Sequence, residues 1–487
     1  MQRIFLAALL VATALAGCVE DEDPAKSGEN VPAVTDVIPE TDLVKLLNET
    51  AHLVPIVLEE SLVDVPTIDQ LHDPYEPTME VCDDGSIYVT GHTFLVDTTG
   101  APVWGSHDDG ASWSQLPWFM DQELPAGVPG ATPPVSDEIF LACGDDGWLY
   151  GSDITLASYP VNAWSGYGTM HEYWNFNGYD ETKAATQAGE CSLAPTILGD
   201  TVPVPAPAKD RPWAAYNNGT LLLTSNPAAG ANQIGVVRVP FDNPSPWSFG
   251  AVVDGIDWNL CAGPGGSIPG VPDINSQGLF AAPQKSDGYL WLTIGNAANV
   301  MDVRNVQLFE SASGGEITSH YGHAVFDADD TLYAGITTNS GADESGNRDG
   351  AMTFSVSLDD GETFETLRFE TGPGALVHFY MDANRFGPGA LVVWAKAGET
   401  DGGYDWYMGH LHHNSTGAPY LANVALVIDE GLAPSAHVTG AAVGPDGRSY
   451  TAMYERSNTR LSVFIQRDGP TLPVYAMLDD IAVEPMA

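Results

Sequence analysis

Basic residues are scarce in this chain. Only 17 of its 487 residues are lysine or arginine, against 65 aspartates and glutamates, so the formal net charge is −48 at pH 7. A surface of this sign repels phosphate backbones, and we therefore exclude nucleic acid as a partner. Lysine is the rarer basic type. Low lysine with abundant aspartate favours a halophilic setting, in which counterions screen the self-repulsion of a solvated acidic surface.

The chain also lacks an apolar run that is long enough to span a bilayer. The run Ile4–Ala16 follows Arg3 and leads into Leu-Ala-Gly-Cys at residues 15–18, which is the pattern of a signal peptide. Leu-Ala-Gly-Cys resembles the bacterial lipobox, in which cleavage frees the cysteine for lipid attachment. We predict a lipoprotein signal peptide over residues 1–17 and a lipid anchor on Cys18, with the protein extracytoplasmic at the outer face of the cell membrane.

Two segments separate this anchor from the first strand-like pattern. Residues 18–41 are acidic, contain proline and show no apolar periodicity, which predicts a disordered tether. Residues 42–70 are predicted to form a short helical or irregular lead-in, with one amphipathic helix in the sequence LVKLLNETAHL. We assign residues 71–487 to the folded domain.

Cysteine is sparse as well, with five copies. Lipidation of Cys18 leaves Cys82, Cys143, Cys191 and Cys261, and an even number in an exported chain predicts two disulfides with three possible connectivities. We favour Cys191–Cys261, because both lie in long loops. No cysteine or histidine spacing indicates a zinc or redox site.

A repeated turn is the clearest motif that the chain contains. SHDDGASW at 106–113 and SLDDGETF at 357–364 share Ser-x-Asp-x-Gly-x-Ser/Thr-aromatic. The pattern suits a tight hairpin, because the aspartate folds back onto backbone amides and the glycine takes a positive φ. It resembles the Asp-box, or BNR repeat, of the sialidase-like β-propellers, in which the boxes are structural. The residues that match are Ser106, Asp108, Gly110, Trp113, Ser357, Asp359, Gly361 and Phe364.

A second repeat supports the same fold class. Short apolar runs lead into Asp/Asn-Gly-type turns and then into alternating strands, which is the hairpin signature. Seven such units occur, at 79–91, 140–152, 213–225, 280–294, 324–336, 379–395 and 439–453. Recurrence on this scale indicates a propeller or a solenoid. We predict an all-β, sialidase-like β-propeller with seven blade-like units, six blades being the alternative because sialidases proper have six.

The resemblance also allows the sialidase mechanism to be checked against the residues. Asp210-Arg211-Pro212-Trp213 looks like the entry strand of secreted sialidase-like proteins. That family grips a sugar carboxylate with three arginines, the first of which belongs to an Arg-Ile-Pro motif. This chain has no Arg-Ile-Pro and no arginine between Arg3 and Arg211. The absence argues against true sialidase activity.

The candidate functional residues lie at the starts of the predicted inner strands, which would surround a central channel. The catalytic candidates are Glu76, Glu138, Asp210 and Arg211; the channel-mouth binding candidates are His72, His320, His323, His378 and His437. Carboxylates with histidines could hold a cation, for which calcium is the candidate, or serve as acid and base. The opposing interpretation is that they are capped strand ends and water-bridged polar groups.

Three functional hypotheses follow. The favoured one is a lipid-anchored propeller that binds a glycan or another surface partner without sialidase activity. The second is a glycoside hydrolase, exo-sialidase-like, that acts on extracellular glycans. The third is an envelope scaffold whose faces bind other proteins. Paired carboxylates about 5–10 Å apart in the channel would favour the second, and a filled channel with an exposed apolar face would favour the third.

Overall fold

A computed structural model describes part of the chain, all of it within one unit, Asp36–Ala487. The described ranges are 56–63, 75–92, 103–115, 136–144, 148–155, 162–167, 169–175, 197–198, 202–203, 213–225, 233–238, 256–259, 268–286, 289–310, 316–317, 321–339, 349–374, 376–397, 404–431, 440–455 and 460–475. The predicted signal peptide, the lipidated cysteine, the tether and the amphipathic helix lie outside these ranges.

The described ranges contain strands and no helix. In chain order the first are β1 (Val57–Leu62), β2 (Tyr75–Val81), β3 (Ile87–His92), β4 (Val103–Ser106), β5 (Ser114–Gln115), β6 (Ser136–Cys143), β7 (Trp148–Thr155), β8 (Asn162–Tyr167), β9 (Thr169–Asn175), β10 (Ile197–Leu198) and β11 (Val202–Pro203). There follow β12 (Trp213–Asn217), β13 (Thr220–Ser225), β14 (Gln233–Arg238), β15 (Ile256–Asn259), β16 (Ile268–Pro269), β17 (Asp273–Ile274), β18 (Leu279–Ser286), β19 (Tyr289–Asn296), β20 (Asn299–Glu310), β21 (Glu316–Ile317) and β22 (His323–Phe326). The last are β23 (Leu332–Asn339), β24 (Asp349–Ser357), β25 (Glu365–Pro373), β26 (Leu376–Ala383), β27 (Ala390–Ala397), β28 (Tyr404–His413), β29 (Pro419–Gly431), β30 (Gly440–Val443), β31 (Ser449–Glu455) and β32 (Arg460–Asp468).

These strands pair into successive small sheets. Sheet 1 contains β2–β5, sheet 2 β6–β9, sheet 3 β12–β15, sheet 4 β16–β20, sheet 5 β21–β25, sheet 6 β26–β29, and sheet 7 β30–β32 with β1; β10 and β11 form a separate ladder. Pairing is antiparallel throughout the seven sheets, except that β7 and β9 of sheet 2 run parallel. The short hairpins agree with the Asp/Asn-Gly turns in the sequence.

The sheets are arranged as a β-propeller. The innermost strand of each sheet contacts that of the next, in the order β2, β6, β12, β17, β22 and β26 to β30, and β30 contacts β2 again. The prediction of an all-β propeller is confirmed. Radial repetition of this kind leaves only short, protected sheet edges.

Sheet 7 closes the ring with strands from both ends of the described chain. β1 supplies its outermost strand and pairs antiparallel with β32, where Glu60 lies opposite Phe464. The predicted boundary at residue 71 is therefore wrong, because Val57–Leu62 of the lead-in belongs to the propeller. The sequence VLEESL does not predict this strand, because its two adjacent glutamates interrupt the alternation of apolar and polar residues that is typical of a strand.

The hydrophobic core lies between neighbouring sheets. Met352 and Phe354 of sheet 5 pack against Val392 and Trp394 of sheet 6 in one cluster. The second strands are buried almost throughout, as in β27, because sheets cover them on both faces. Within the described ranges no helix is long and apolar enough to cross a membrane.

A disulfide joins sheets 1 and 2. Cys82, which follows β2, is bonded to Cys143, which ends β6, and the two Cα atoms are 5.4 Å apart. Of the three possible connectivities, this bond leaves Cys191 to pair with Cys261. Both of those residues lie outside the described ranges.

The two motif turns have the same internal hydrogen bonds. In the first box turn (106–113), the Ser106 hydroxyl donates to Asp108 at 2.9 Å, and Asp108 accepts the Ser112 amide at 2.8 Å and its hydroxyl at 2.6 Å. In the second box turn (357–364), Asp359 accepts from Ser357 at 2.8 Å and from the Thr363 amide and hydroxyl at 2.8 and 2.6 Å. The aspartate thus closes each turn onto its own backbone.

The glycine of each box turn takes a left-handed conformation and lies against the preceding sheet. Gly110 has φ +80° and Gly361 has φ +77°. A Cβ atom built on Gly110 would lie 2.4 Å from Ile465 Cδ1, and one built on Gly361 would lie 2.5 Å from Ile294 Cδ1. Glycine is therefore needed twice over, for its backbone angle and for the close approach.

Candidate functional site

A small polar cavity lies on the axis of the propeller. It has a volume of about 30 Å³, room for one or two water molecules. Innermost strands of six sheets line it: Thr78, Met79 and Glu80 of β2, Leu141 of β6, Trp213, Ala214 and Ala215 of β12, Val271, Pro272 and Asp273 at β17, Val325 of β22, and Tyr380, Met381 and Asp382 of β26, with Arg385 beyond β26. The cavity is thus a segment of the predicted central channel.

Four charged side chains from three sheets meet at this cavity, and we call them the channel cluster: Glu80, Asp273, Asp382 and Arg385. Glu80 and Asp382 lie near the ends of β2 and β26, and Arg385 reaches in from the turn that follows β26. The period of two along a strand directs alternate side chains inward, so Tyr380 and Asp382 both face the axis.

Backbone amides of the next sheet hold two of the carboxylates in place. Asp273 accepts the amides of Ile274 and Phe326, each at 2.8 Å. Asp382 accepts the amide of Val443 at 2.9 Å. The bonds from Phe326 and Val443 each fix a carboxylate on the innermost strand of one sheet to the strand beside it, whereas the Ile274 amide belongs to the strand of Asp273 itself.

Enclosure by the sheets changes the pKa values of the cluster. Burial is the main cause that raises the pKa of Glu80 to about 8; Arg385 opposes the rise, and the neighbouring Asp382 and Asp273 add to it. Burial likewise raises the pKa of Asp382, to about 6, and that of Asp273. Burial opposes the charge on Arg385, but the surrounding carboxylates raise its pKa overall.

These shifts define the protonation states. At neutral pH Glu80 keeps its proton, whereas Asp382 is largely ionised and Arg385 is a cation. A proton donor and a carboxylate acceptor therefore face one cavity, together with the hydroxyl of Tyr380. This arrangement can bind hydroxyl groups as donor and acceptor at once, and it holds the two groups that acid–base chemistry needs.

The last described segment braces the turn that carries Arg385. The amide of Tyr475 donates to the Phe386 carbonyl at 2.7 Å, and the Asn384 side chain donates to the Pro473 carbonyl at 2.6 Å. The Tyr475 hydroxyl bonds to Asp329 in sheet 5 at 2.6 Å. Residues 473–475 cross this turn and hold it in place. Because the turn positions the guanidinium of Arg385, these residues also restrain that group.

Two of the predicted histidines pack among aromatic side chains and do not line the cavity. His323 contacts the rings of Phe379 and Tyr380 edge-on, and burial lowers its pKa to about 3. His378 is buried and stacks on Trp406, with the ring centroids 5.5 Å apart. Both are buried packing residues of the sheets and are not among the residues that line the cavity.

The other predicted site residues divide into two groups. Glu76 is buried at a register shift near the start of β2, with φ +54°, and does not line the cavity. The side chain of Glu138 and the residues His72, Asp210, Arg211, His320 and His437 lie outside the described part of the chain.

No member of the channel cluster is among the residues predicted from the sequence, because the predicted residues lie at the starts of the innermost strands. A usable signal was present. Glu80 in MEV and Asp382 in YMDA are charged residues with apolar residues on both sides, and such residues are seldom buried without a partner. Asp273 and Arg385 follow proline and asparagine in turn-like sequence and offered no such signal.

The described side chains include no group of three or more His, Cys, Asp or Glu residues that is placed to hold a metal ion. The calcium prediction therefore gains no support from these residues. In the channel cluster the guanidinium of Arg385 occupies the place among the carboxylates that a cation would take.

Comparison with known proteins gives only distant likenesses. No protein-family model matches the chain, and the search of curated proteins found no match. Among solved structures, the phage phi92 endosialidase matches at 12% identity and a TM-score of 0.40, covering 87% of this chain and 71% of that one. The intramolecular trans-sialidase from Ruminococcus gnavus matches at 12% identity and 0.40, covering 87% and 99%. The alpha-L-arabinanase of Penicillium chrysogenum matches at 10% identity and 0.40, covering 85% and 98%. Likeness at this level assigns no activity to the chain.

Proposed function

We propose that this protein is a cell-surface, lipid-anchored β-propeller that binds neutral glycans at the mouth of its central channel, with one sugar hydroxyl entering the cavity, and has no sialidase activity. Its anchor would be Cys18, with residues 18–41 as a flexible tether on the outer face of the membrane. Its setting would be saline, because the chain carries a formal charge of −48. Nucleic acid is not a partner in this proposal.

The observation that carries the proposal is the state of the channel arginine. Sialidase chemistry needs guanidinium groups that are free to bind a sugar carboxylate. Arg385 lies instead among Glu80, Asp273 and Asp382, and the carboxylates there already raise its pKa and balance its charge. The ionised Asp382 also repels an acidic sugar, whereas one hydroxyl of a neutral sugar, about the size of the water for which the cavity has room, can donate to Asp382 and accept from protonated Glu80.

Two features support placing the chain among the seven-bladed, sialidase-like propellers. Each of the seven sheets contacts the next through its innermost strand, which favours seven blades over six. Both box turns have the hydrogen bonds expected of structural Asp-boxes, with the aspartate closing the turn. Family membership and the lipid anchor remain predictions from the sequence.

A glycan array tests the binding proposal. The purified mature domain, in high salt with calcium, is expected to be retained by neutral glycans and not by sialylated ones. The double variant Glu80→Gln with Asp382→Asn should lose retention, while Glu362→Gln, a surface carboxylate outside the channel, should keep it. Preference for sialylated glycans would contradict the proposal. Retention by no glycan would shift the assignment to an envelope scaffold that binds proteins.

A glycoside hydrolase is the second candidate, because two carboxyl groups with separated pKa values face one cavity. Protonated Glu80 would donate to the leaving oxygen and ionised Asp382 would act as base or nucleophile. Hydrolysis of a panel of fluorogenic glycosides, sialosides included, distinguishes it from simple binding. Turnover that Glu80→Gln abolishes and Glu76→Gln leaves unchanged would establish an enzyme, and a silent panel would exclude this candidate.

The pH dependence of stability checks the channel cluster separately from any ligand. The folded protein keeps the Glu80 proton up to about pH 8, whereas the unfolded chain loses it near the ordinary value of 4.5. Unfolding then releases a proton between these values, so the Glu80 contribution makes stability fall as pH rises through this window. Glu80→Gln should remove that fall in thermal unfolding. An unchanged pH profile would show that Glu80 is not enclosed as described.

A further inference from the structure

The hairpin turn between β28 and β29 carries the sequence Asn414-Ser415-Thr416, one of three Asn-x-Ser/Thr triplets in the chain. The others begin at Asn48 and Asn218. Such a triplet is an acceptor pattern for N-linked glycans in exported proteins, provided that it lies on an accessible turn. The structure describes the triplets at Asn414 and Asn218, and the two differ in how accessible their side chains are.

At Asn414 the side chain is arranged with its oxygen bound and its nitrogen outward. The Oδ1 atom accepts the amide of Thr416 at 2.9 Å, the hydroxyl of Thr416 at 2.7 Å and the amide of Ala418 at 3.1 Å. Among the described residues no acceptor bonds to its Nδ2 atom. Asn414, Ser415 and Thr416 are all exposed, so both the amide nitrogen and the hydroxyl that defines the triplet are accessible.

At Asn218 the same triplet is used for folding. Asn218 is left-handed, with φ +45°, and its Nδ2 atom donates to the Ser276 carbonyl in sheet 4 at 3.2 Å. Thr220 is only 1% exposed, because it begins β13 and lies opposite Arg238. An enzyme that reads the threonine hydroxyl cannot reach it in the folded domain. Asn48 lies outside the described residues.

The surroundings of Asn414 also favour a covering group. The turn lies at the same hairpin of sheet 6 that holds the box turns in sheets 1 and 5. Leu358 lies 3.6 Å from the position of a Cβ on Gly417. Leu358 is 50% exposed and Tyr420, just past the turn, is 47% exposed. Apolar and aromatic side chains of this kind pack well against the C–H faces of sugars.

We propose that Asn414 is a glycosylation site that carries an N-linked oligosaccharide. The donor would be an oligosaccharide linked through phosphate to a lipid, of the class that membrane glycosyltransferases use. The Nδ2 atom forms a bond to the anomeric carbon, the bond from that carbon to the phosphate oxygen breaks, and one proton leaves Nδ2. The lipid phosphate departs with the bonding electron pair. No step involves the channel cluster, so this proposal is independent of the glycan-binding one.

Mass spectrometry of the full-length protein, purified from the cells that naturally produce it, tests the site. We expect the peptide with Asn414 to carry the added mass of an oligosaccharide and the peptide with Asn218 to carry none. Asn414→Asp is the informative variant, because aspartate closes the equivalent box turns and so preserves the fold while removing the acceptor nitrogen. It should lose the added mass completely. Thr416→Ala should also lose it, whereas Ser415→Ala should keep it.

Three results would contradict the proposal or the argument behind it. An unmodified Asn414 peptide in the native protein would overturn the proposal. So would added mass that persists in Asn414→Asp, because it would then reside on Ser415, Thr416 or elsewhere. Modification of Asn218 would refute the argument that burial of Thr220 protects that triplet.

Discussion

The two box turns share one internal geometry but are docked by different residues. In the second turn a single side chain, Arg304 of sheet 4, donates to the carbonyls of Asp360 and Gly361, each at 2.7 Å. In the first turn two strands divide this task. Arg467 of β32 donates to the Asp109 carbonyl at 3.0 Å, and Ser61 of β1 donates to the Gly110 carbonyl at 2.5 Å.

The difference follows from where each turn lies in the ring. Sheet 4, which receives the second turn, comes from one continuous stretch of chain. Sheet 7, which receives the first, combines β1 with β30–β32 from the other end of the described chain, and Ser61 also accepts from the Trp113 indole at 2.8 Å. The first turn therefore contacts both strands of the closure. A motif that is local in sequence can thus hold together distant parts of a chain.

The largest expected effect comes from filling the space above the two glycines. Gly110→Ala and Gly361→Ala combine left-handed backbone strain with overpacking against Ile465 and Ile294, so each should lower the free energy of unfolding by about 2–4 kcal/mol. Gly85→Ala is the matched control. Gly85 has φ +80° with nothing within 4 Å, so it should cost only about 1–2 kcal/mol, the strain alone.

Urea unfolding of the three variants provides the measurement. Equal losses at all three positions would show that strain alone explains the glycines and that the close approach to the preceding sheet does not matter. A larger loss of unfolding free energy for Gly110→Ala than for Gly361→Ala would show that the contact between sheets 7 and 1 tolerates overpacking less well than the contact between sheets 4 and 5.

The next effect comes from removing the arginines that dock the turns. Arg304→Ala leaves two carbonyls without their donor, and a hydrogen bond to a charged group contributes about 1.5–3 kcal/mol, reduced here by partial exposure. Arg467→Ala removes one carbonyl bond together with ion pairs to Glu59 and Asp109. Its cost should therefore shrink more with added salt than that of Arg304→Ala. Unfolding at low and high salt measures this, and the same salt dependence for both would contradict the division of roles.

Sequence reasoning reached the internal geometry of the turns but not their docking. Ser-x-Asp-x-Gly specifies hydrogen bonds within eight residues, and local bonds of this kind follow from local sequence. Arg304 lies 57 residues from Gly361 and Arg467 lies 358 residues from Asp109, whose carbonyls they bind. No pattern in the sequence predicts these pairings. The hairpin repeat likewise predicted the propeller, whereas closure by VLEESL required knowledge of which strand completes the last sheet.

The channel shows the same limit. The sequence predicted polar groups at the starts of the inner strands, none of which is among the described residues that line the cavity. It did not predict Glu80, Asp273 and Asp382, because these residues become neighbours only when sheets 1, 4 and 6 close into a ring. His323 and His378, which were chosen from their place at strand starts, pack against aromatic rings, and their position along a strand does not reveal that packing.

A smaller effect is expected from the carboxylates that close the turns. Bonds from Ser112 lower the pKa of Asp108, and bonds from Thr363 lower the pKa of Asp359. A folded pKa below the ordinary 3.8 stabilises the protein above that value, and the gain is lost as pH falls through the folded pKa. Asp108→Asn and Asp359→Asn should therefore destabilise at neutral pH, and their difference from the parent should vanish in acid. Thermal unfolding from pH 7 to pH 2 tests this. A constant difference would rule out ionisation as the cause.

Asn414 is the uncharged counterpart of Asp108 and Asp359, because its side-chain oxygen closes its turn without a charge.

The smallest effect is expected from the exposed acids beside the turns, and it separates the two docking modes most finely. Glu362 pairs with Arg304 at 3.3 Å while 71% of its side chain is exposed, so Glu362→Gln should change stability by about 0–0.5 kcal/mol. Asp109 faces both Arg448 and Arg467, and networks of charges contribute more than isolated pairs, so Asp109→Asn should cost about 0.5–1 kcal/mol. A double-mutant cycle of Asp109→Asn with Arg467→Ala, set against one of Glu362→Gln with Arg304→Ala, measures the two coupling energies. Equal coupling energies would mean that Arg448, the second arginine beside Asp109, does not strengthen the ion pair of Asp109 with Arg467. The first turn would then be docked on sheet 7 through its backbone carbonyls alone.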